Sequence, residues 1–136
     1  MSVKNVSGTF LRRALLLDGV ASGAMGVLMA AAAGPMGPLL GLEPGLLRAA
    51  GLGLIPFAML LGYLASRAHL SPGPVWFVVA VNALWVVDSV LLMTHGPTAP
   101  TGLGVAFVTA QALAVAAFAA LEYAGLRRGT AATAMA

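Results

Sequence analysis

Cysteine is absent from the 136 residues, which removes disulfides, a thiolate nucleophile and any cysteine metal site, and leaves redox compartment unread. Histidine occurs twice, as His69 and His95, both in breaks between apolar segments and on opposite sides of them, so neither can ligate a haem held within a bilayer. Charge is scarce: seven Lys and Arg with four Asp and Glu make 8% of the chain, against roughly a quarter in soluble domains. No Gly-rich phosphate loop with its lysine is present, and no ligands cluster at zinc-site spacing. Intramembrane proteolysis needs paired aspartates at one depth or a Ser and His pair, whereas Asp18 and Asp88 are expected on opposite halves. Neither a metal, a cofactor nor an enzymatic activity is expected.

What fills the chain instead is hydrocarbon. Hydrophobic residues make 60% of it and mean hydropathy is +0.98, the make-up of an integral membrane protein. A spanning helix needs about 20 mostly apolar residues, and four stretches reach that length: about 11–33, 45–66, 74–94 and 101–125. The breaks carry helix-end chemistry: Gly34-Pro35 with Gly37-Pro38, then Ser71 to Pro74, then Gly96-Pro97 and Pro100 with Thr101 as a cap. Connections this short make sequential neighbours antiparallel. The expected fold is all-α, a single antiparallel four-helix transmembrane bundle. Gly34-Pro35 to Pro38 and Gly96-Pro97 to Pro100 share a Gly-Pro-x-x-Pro pattern, but helix interiors do not match at that offset, so turn chemistry accounts for it.

Placement of the basic residues sets orientation. Lys4, Arg12 and Arg13 precede helix one, Arg67 follows helix two, Arg127 and Arg128 follow helix four, and Arg48 alone falls on the other side. That bias puts both termini in the cytoplasm, and the expected home is the bacterial cytoplasmic (inner) membrane, multi-pass. The net charge of +3 does not indicate nucleic acid, because the basic residues sit at segment ends rather than in a patch with interleaved aromatics. Basic residues before an apolar run ending in alanines imitate a signal peptide; Asp18 interrupts the run and argues against one.

The few polar residues at bilayer depth therefore carry the argument, since each charge there costs about 2.5 to 3.5 kcal/mol on insertion scales. Asp88 lies a few residues outward of the middle of helix three and Arg48 in the outer part of helix two, so three readings of Asp88 stand: a structural Arg48–Asp88 ion pair with Trp85 one turn away, a protonatable site, or a contact with a subunit outside this chain. Asn82 and Ser89 are seven apart and share one face, with Asp88 rotated by about 120°; Asn82 is expected to bond Gln111 of helix four. Asp18 follows Arg13 by about one and a half turns and precedes Ser22 by four residues, with Tyr63 as its expected partner. Gly19, Gly23 and Gly26 form a small-residue face for close helix packing. Pro56 should bend helix two. Glu122 and Tyr123 read as an interfacial anchor of helix four, and Trp76 as part of an aromatic belt.

Four helices, an Asn-x-x-Trp in helix three ("NALW", Asn82 to Trp85) and a basic tail ("LEYAGLRR", Leu121 to Arg128) resemble those of small bacterial inner-membrane proteins of four helices. The resemblance covers most of the chain and implies no activity. Length, helix number and an acid in helix one are also loosely similar to small multidrug resistance transporters, which act as dimers with an exchangeable glutamate; here the acid is Asp18, nearer the cytoplasmic end, and the loops are proline-rich. The expected function is non-enzymatic, through helix–helix interaction in the bilayer: an accessory subunit of a membrane complex or a self-associating homo-oligomer, using the small-residue face of helix one and the two-faced helix three. The rival is a small proton- or ion-coupled transporter or apolar-ligand binder, with Asp18, Asn82, Trp85, Asp88 and Gln111 as candidate ligand or ion residues.

Overall fold

A computed structural model describes the backbone of residues 3–134 and the side chains of residues 8–129. The described residues form four helices: α1 Val3–Leu40, α2 Pro44–Ser66, α3 Pro72–His95 and α4 Gly102–Ala134. Each holds a stretch long and apolar enough to span a membrane. Large apolar side chains cover the outside, Val20 being 71% exposed, Met59 70% and Leu113 67%, as suits a surface solvated by lipid.

α1 is longer than its expected 11–33. Pro35 lacks the donor that would bond Ala31, and the chain answers with a kink at Ala32 (φ −108°, ψ 16°), one turn before the proline, as a ring clash with the preceding turn requires. The helix then resumes through Pro38 to Leu40, so the Gly-Pro pairs bend α1 rather than end it. Gly41, at φ +68°, makes the stop, where the amide of Leu42 bonds the carbonyl of Gly37 at 3.0 Å. A Cβ on Gly41 would lie 2.6 Å from the Ala99 carbonyl oxygen, so both the turn and the close approach require glycine.

Glu43 caps α2, its carboxylate accepting from the amides of Gly45 at 3.0 Å and Leu46 at 2.8 Å, with Pro44 in the first turn. α2 passes through Pro56 as one continuous helix. Thr101 caps α4 as its position suggested: its hydroxyl accepts from the Gly104 amide at 3.0 Å and donates to the Leu39 carbonyl at 2.9 Å. That second bond ties the start of α4 to the end of α1.

Packing follows stripes at helical spacing. On α1 the buried residues are Leu11, Ala14, Leu15, Asp18, Ser22, Gly26, Met29, Ala33, Gly37 and Leu40, a stripe at helical spacing that keeps one face inward. α1 packs along α2 and α4, and α3 packs along α4, whereas α2 and α3 scarcely touch. Arg12 donates to the carbonyls of Ala65 and Arg67, while at the other end of the same pair Gly37 lies against Pro44. Two cores result. One holds Leu15, Leu61, Val75, Val78 and Leu126; the other holds Met29, Ala33, Leu47, Leu54 and Val108.

The glycines of α1 explain how closely α2 approaches. A Cβ on Gly26 would sit 2.9 Å from the Gly51 carbonyl oxygen, and one on Gly51 would sit 2.6 Å from the Ala30 amide nitrogen. Gly19 lies against Leu61 and Gly23 against Ala58. The small-residue face thus serves the close helix packing expected of it and is covered within the chain by α2, so it is not open to another subunit.

Candidate functional site

Between the two cores lies a polar cluster drawn from three helices. Asp18 and Ser22 come from the inward stripe of α1, Asn82 from α3 and Glu122 from α4; Asp18 and Glu122 have no exposed surface and Asn82 is 3% exposed. The Ser22 hydroxyl donates to Asp18 Oδ1 at 2.9 Å. The Asn82 amide nitrogen donates to Asp18 Oδ2 at 2.7 Å and to Glu122 Oε2 at 3.0 Å. One amide therefore holds two carboxyl groups together. The other carboxyl oxygen of Glu122 is buried with no hydrogen-bond partner, and none of the side chains bonded to Asp18 or Glu122 carries positive charge.

Beside this cluster a cavity of about 240 Å³ opens where α2 and α3 fail to meet. Its walls include Leu54 and Phe57 of α2, Asn82 and Trp85 of α3, Val115 of α4 and Ser22 of α1. The lining is almost wholly apolar. Two members of the polar cluster, Ser22 and Asn82, form part of the wall, so they join the carboxyl groups to the cavity. Trp85 Nε1 is buried and lacks a hydrogen-bond partner, leaving one donor on a residue of the cavity wall.

Several expectations are corrected. Arg48 and Asp88 are both exposed, and among the described residues no hydrogen bond or ion pair joins them. Their faces explain this at 100° per residue. The cavity-lining residues of α2, Ala50, Gly53 and Phe57, lie to one side of its Leu47–Leu54–Leu61 stripe, and Arg48 projects about 120° to the other. Asp88 is about 120° from the buried Asn82, so it cannot point inward with it. The pairing of Asn82 with Gln111 is replaced by the carboxyl contacts above, and Gln111 instead reaches Met29 Sδ at 3.5 Å. Here depth decides: Asn82 is ten residues from the start of α3, whereas Gln111 is nine from the opposite-end start of α4.

Tyr63 does not serve Asp18. Its ring is 56% exposed and lies under the Arg67 guanidinium at 5.4 Å. Tyr123 has a similar place, with Arg127 at 5.9 Å and Trp76 edge-on at 5.6 Å. Glu122 is no anchor; it turns inward. The signal was available, because Val108, Ala112, Val115, Ala119, Glu122 and Leu126 form one helical stripe that begins and ends in buried residues. Proximity to the basic tail outweighed it, as α4 was expected to end at 125 and continues to Ala134.

The chain matches no protein-family model, no curated protein and no solved structure. Its fold and site define a small multi-pass membrane protein with a buried pair of carboxyl groups. What that pair does has to be argued from its own geometry.

Proposed function

We propose that this is a small ion-coupled membrane protein, a transporter or apolar-ligand binder, in which Asp18 and Glu122 take up and release a cation next to a ligand cavity between α2 and α3. One observation carries the reading: two fully buried carboxyl groups share the Asn82 amide, and among the described residues no positively charged side chain is bonded to either. Two like charges about 4 Å apart repel by about 4 kcal/mol at an effective dielectric near 20, so the pair is best tolerated with a shared proton or a bound cation. Such a group exchanges its cation when its surroundings change, and Asn82 and Ser22 couple those surroundings to the cavity. The bundle is antiparallel, with both termini on the cytoplasmic side of a bacterial inner membrane; the Arg12–Ala65 and Gly37–Pro44 contacts and the bias of basic residues support this. No catalytic residue enters the proposal. The interaction-subunit reading retains one observation, the exposed Asp88 on a spanning helix.

The test is infrared difference spectroscopy of the protein in lipid vesicles, stepping pH and then sodium or potassium concentration. A carboxyl band that responds to either step and is lost in both Asp18→Asn and Glu122→Gln is the expected result. Bands that stay unchanged throughout sink the reading and leave the cluster a structural clasp.

A further inference from the structure

Asp88 is the one acidic side chain on the exposed surface of α3, and among the described residues no hydrogen bond or ion pair answers it. It lies seven residues before His95, the last residue of the helix, hence about 10 Å along the axis from that end. An aspartate is too short to cover that distance by leaning toward water, as a lysine or arginine does. Around it Leu84, Val87 and Leu91 are all exposed, a surface fit for lipid or for another apolar helix. A carboxylate in such a place calls for a partner from outside the chain.

The complementary group is present on the same molecule and, among the described residues, equally without a side-chain partner. Arg48 is exposed on α2, four residues after Pro44, about 6 Å from the corresponding end of the bundle. The other acid at that end, Glu43, is occupied in capping α2. The depths of Arg48 and Asp88 differ by about 4 Å, which a long arginine side chain spans. Within one chain the two project to different sides, so the pair cannot close; between two chains it can.

We propose that the occupant of this face is a second copy of the protein, with Arg48 of each copy pairing with Asp88 of the other. A two-fold axis along the membrane normal keeps both residues at their depths and forms the contact twice, as a self-complementary interface requires. Exposed Leu52 of α2, about 40° around the helix from Arg48, and exposed Leu84, Val87 and Leu91 of α3 supply apolar flanks. The proposal is independent of whether Asp18 and Glu122 exchange a cation, because it concerns association alone.

Charge exchange tests it. Two differently tagged copies are co-expressed, and self-association is read by co-purification in mild detergent and by energy transfer in vesicles across a range of protein-to-lipid ratios. Wild-type copies associate, and Arg48→Asp alone or Asp88→Arg alone weakens self-association at least tenfold. Co-expressed with each other, the two variants recover it, because every contact between them is again opposite in sign. Unchanged thermal midpoints establish that the exposed substitutions leave each bundle folded. Since the chain has no cysteine, a second readout needs no background changes: Arg48→Cys on one copy and Asp88→Cys on the other are joined by a bifunctional thiol cross-linker as long as the arginine–aspartate pair it replaces, a span too great for a direct disulfide. Wild-type protein that stays monomeric at every ratio overturns the proposal. So does mutual failure of the two charge variants to recover association, absence of the thiol cross-link between copies, or cross-linking of position 88 solely to a different protein.

Discussion

Replacing Asn82 with leucine tests the central contact at nearly constant volume. The substitution removes the nitrogen that bonds both Asp18 and Glu122, leaving Asp18 with Ser22 and stripping Glu122 Oε2 of its amide donor. Interhelical hydrogen bonds in membranes are worth about 0.6 kcal/mol on average and up to about 1.7, while bonds to charged groups reach about 1.5 to 3 in soluble proteins. Two such bonds, both fully buried, place the loss at about 2 kcal/mol. Reversible unfolding of the bundle in mixed micelles measures it. The decisive comparison is a cycle with Glu122→Leu: once the carboxyl group is gone, nothing is stranded by the loss of its donor, so the double variant loses less than the sum of the singles by about 1 kcal/mol. Additivity within about 0.5 kcal/mol, or a loss for Asn82→Leu below that figure, refutes the bridging role.

Two further substitutions probe the frame around the site. Gly51→Ala sets a methyl 2.6 Å from the Ala30 nitrogen and 2.7 Å from the Gly26 carbonyl oxygen, so α1 and α2 must separate; a loss of about 1 to 3 kcal/mol is expected, whereas Gly62→Ala, which meets nothing within 4 Å, is neutral or gains up to about 1 kcal/mol, both read by thermal unfolding. Arg12→Gln withdraws a cation from the carbonyls that end α2 and costs about 1 kcal/mol; faster amide exchange confined to the last turn of α2 checks it, and unchanged exchange there removes the proposed clasp.

Much of the frame was legible because lipid simplifies the code. A run of about 20 apolar residues has one stable form at bilayer depth, so the four helices followed from hydropathy, and Thr101 as a cap followed from its place after Pro100. Periodicity also placed Asn82 and Ser89 on one face, and both are buried. The kink at Ala32 was harder to read, since Gly-Pro pairs signal a stop and a bend in the same letters, and packing of the resumed turns decided for the bend.

The polar contacts divide along a similar line. Hydropathy and spacing on their own determined that Asp18, Asn82 and Asp88 lie within spanning helices, because those are properties of one helix at a time. Which acid met which partner was decided by how the helices pack: α1 lies between α2 and α4, α2 stands apart from α3, and so Asn82 met Asp18 and Glu122 instead of Gln111 while Arg48 and Asp88 were left facing outward. The physical reason is that lipid and a neighbouring helix offer an apolar side chain nearly the same environment. The apolar pattern that specifies a span therefore carries little information about which spans become neighbours, and the small residues and the buried polar cluster, which exist as contacts only after packing, make that choice.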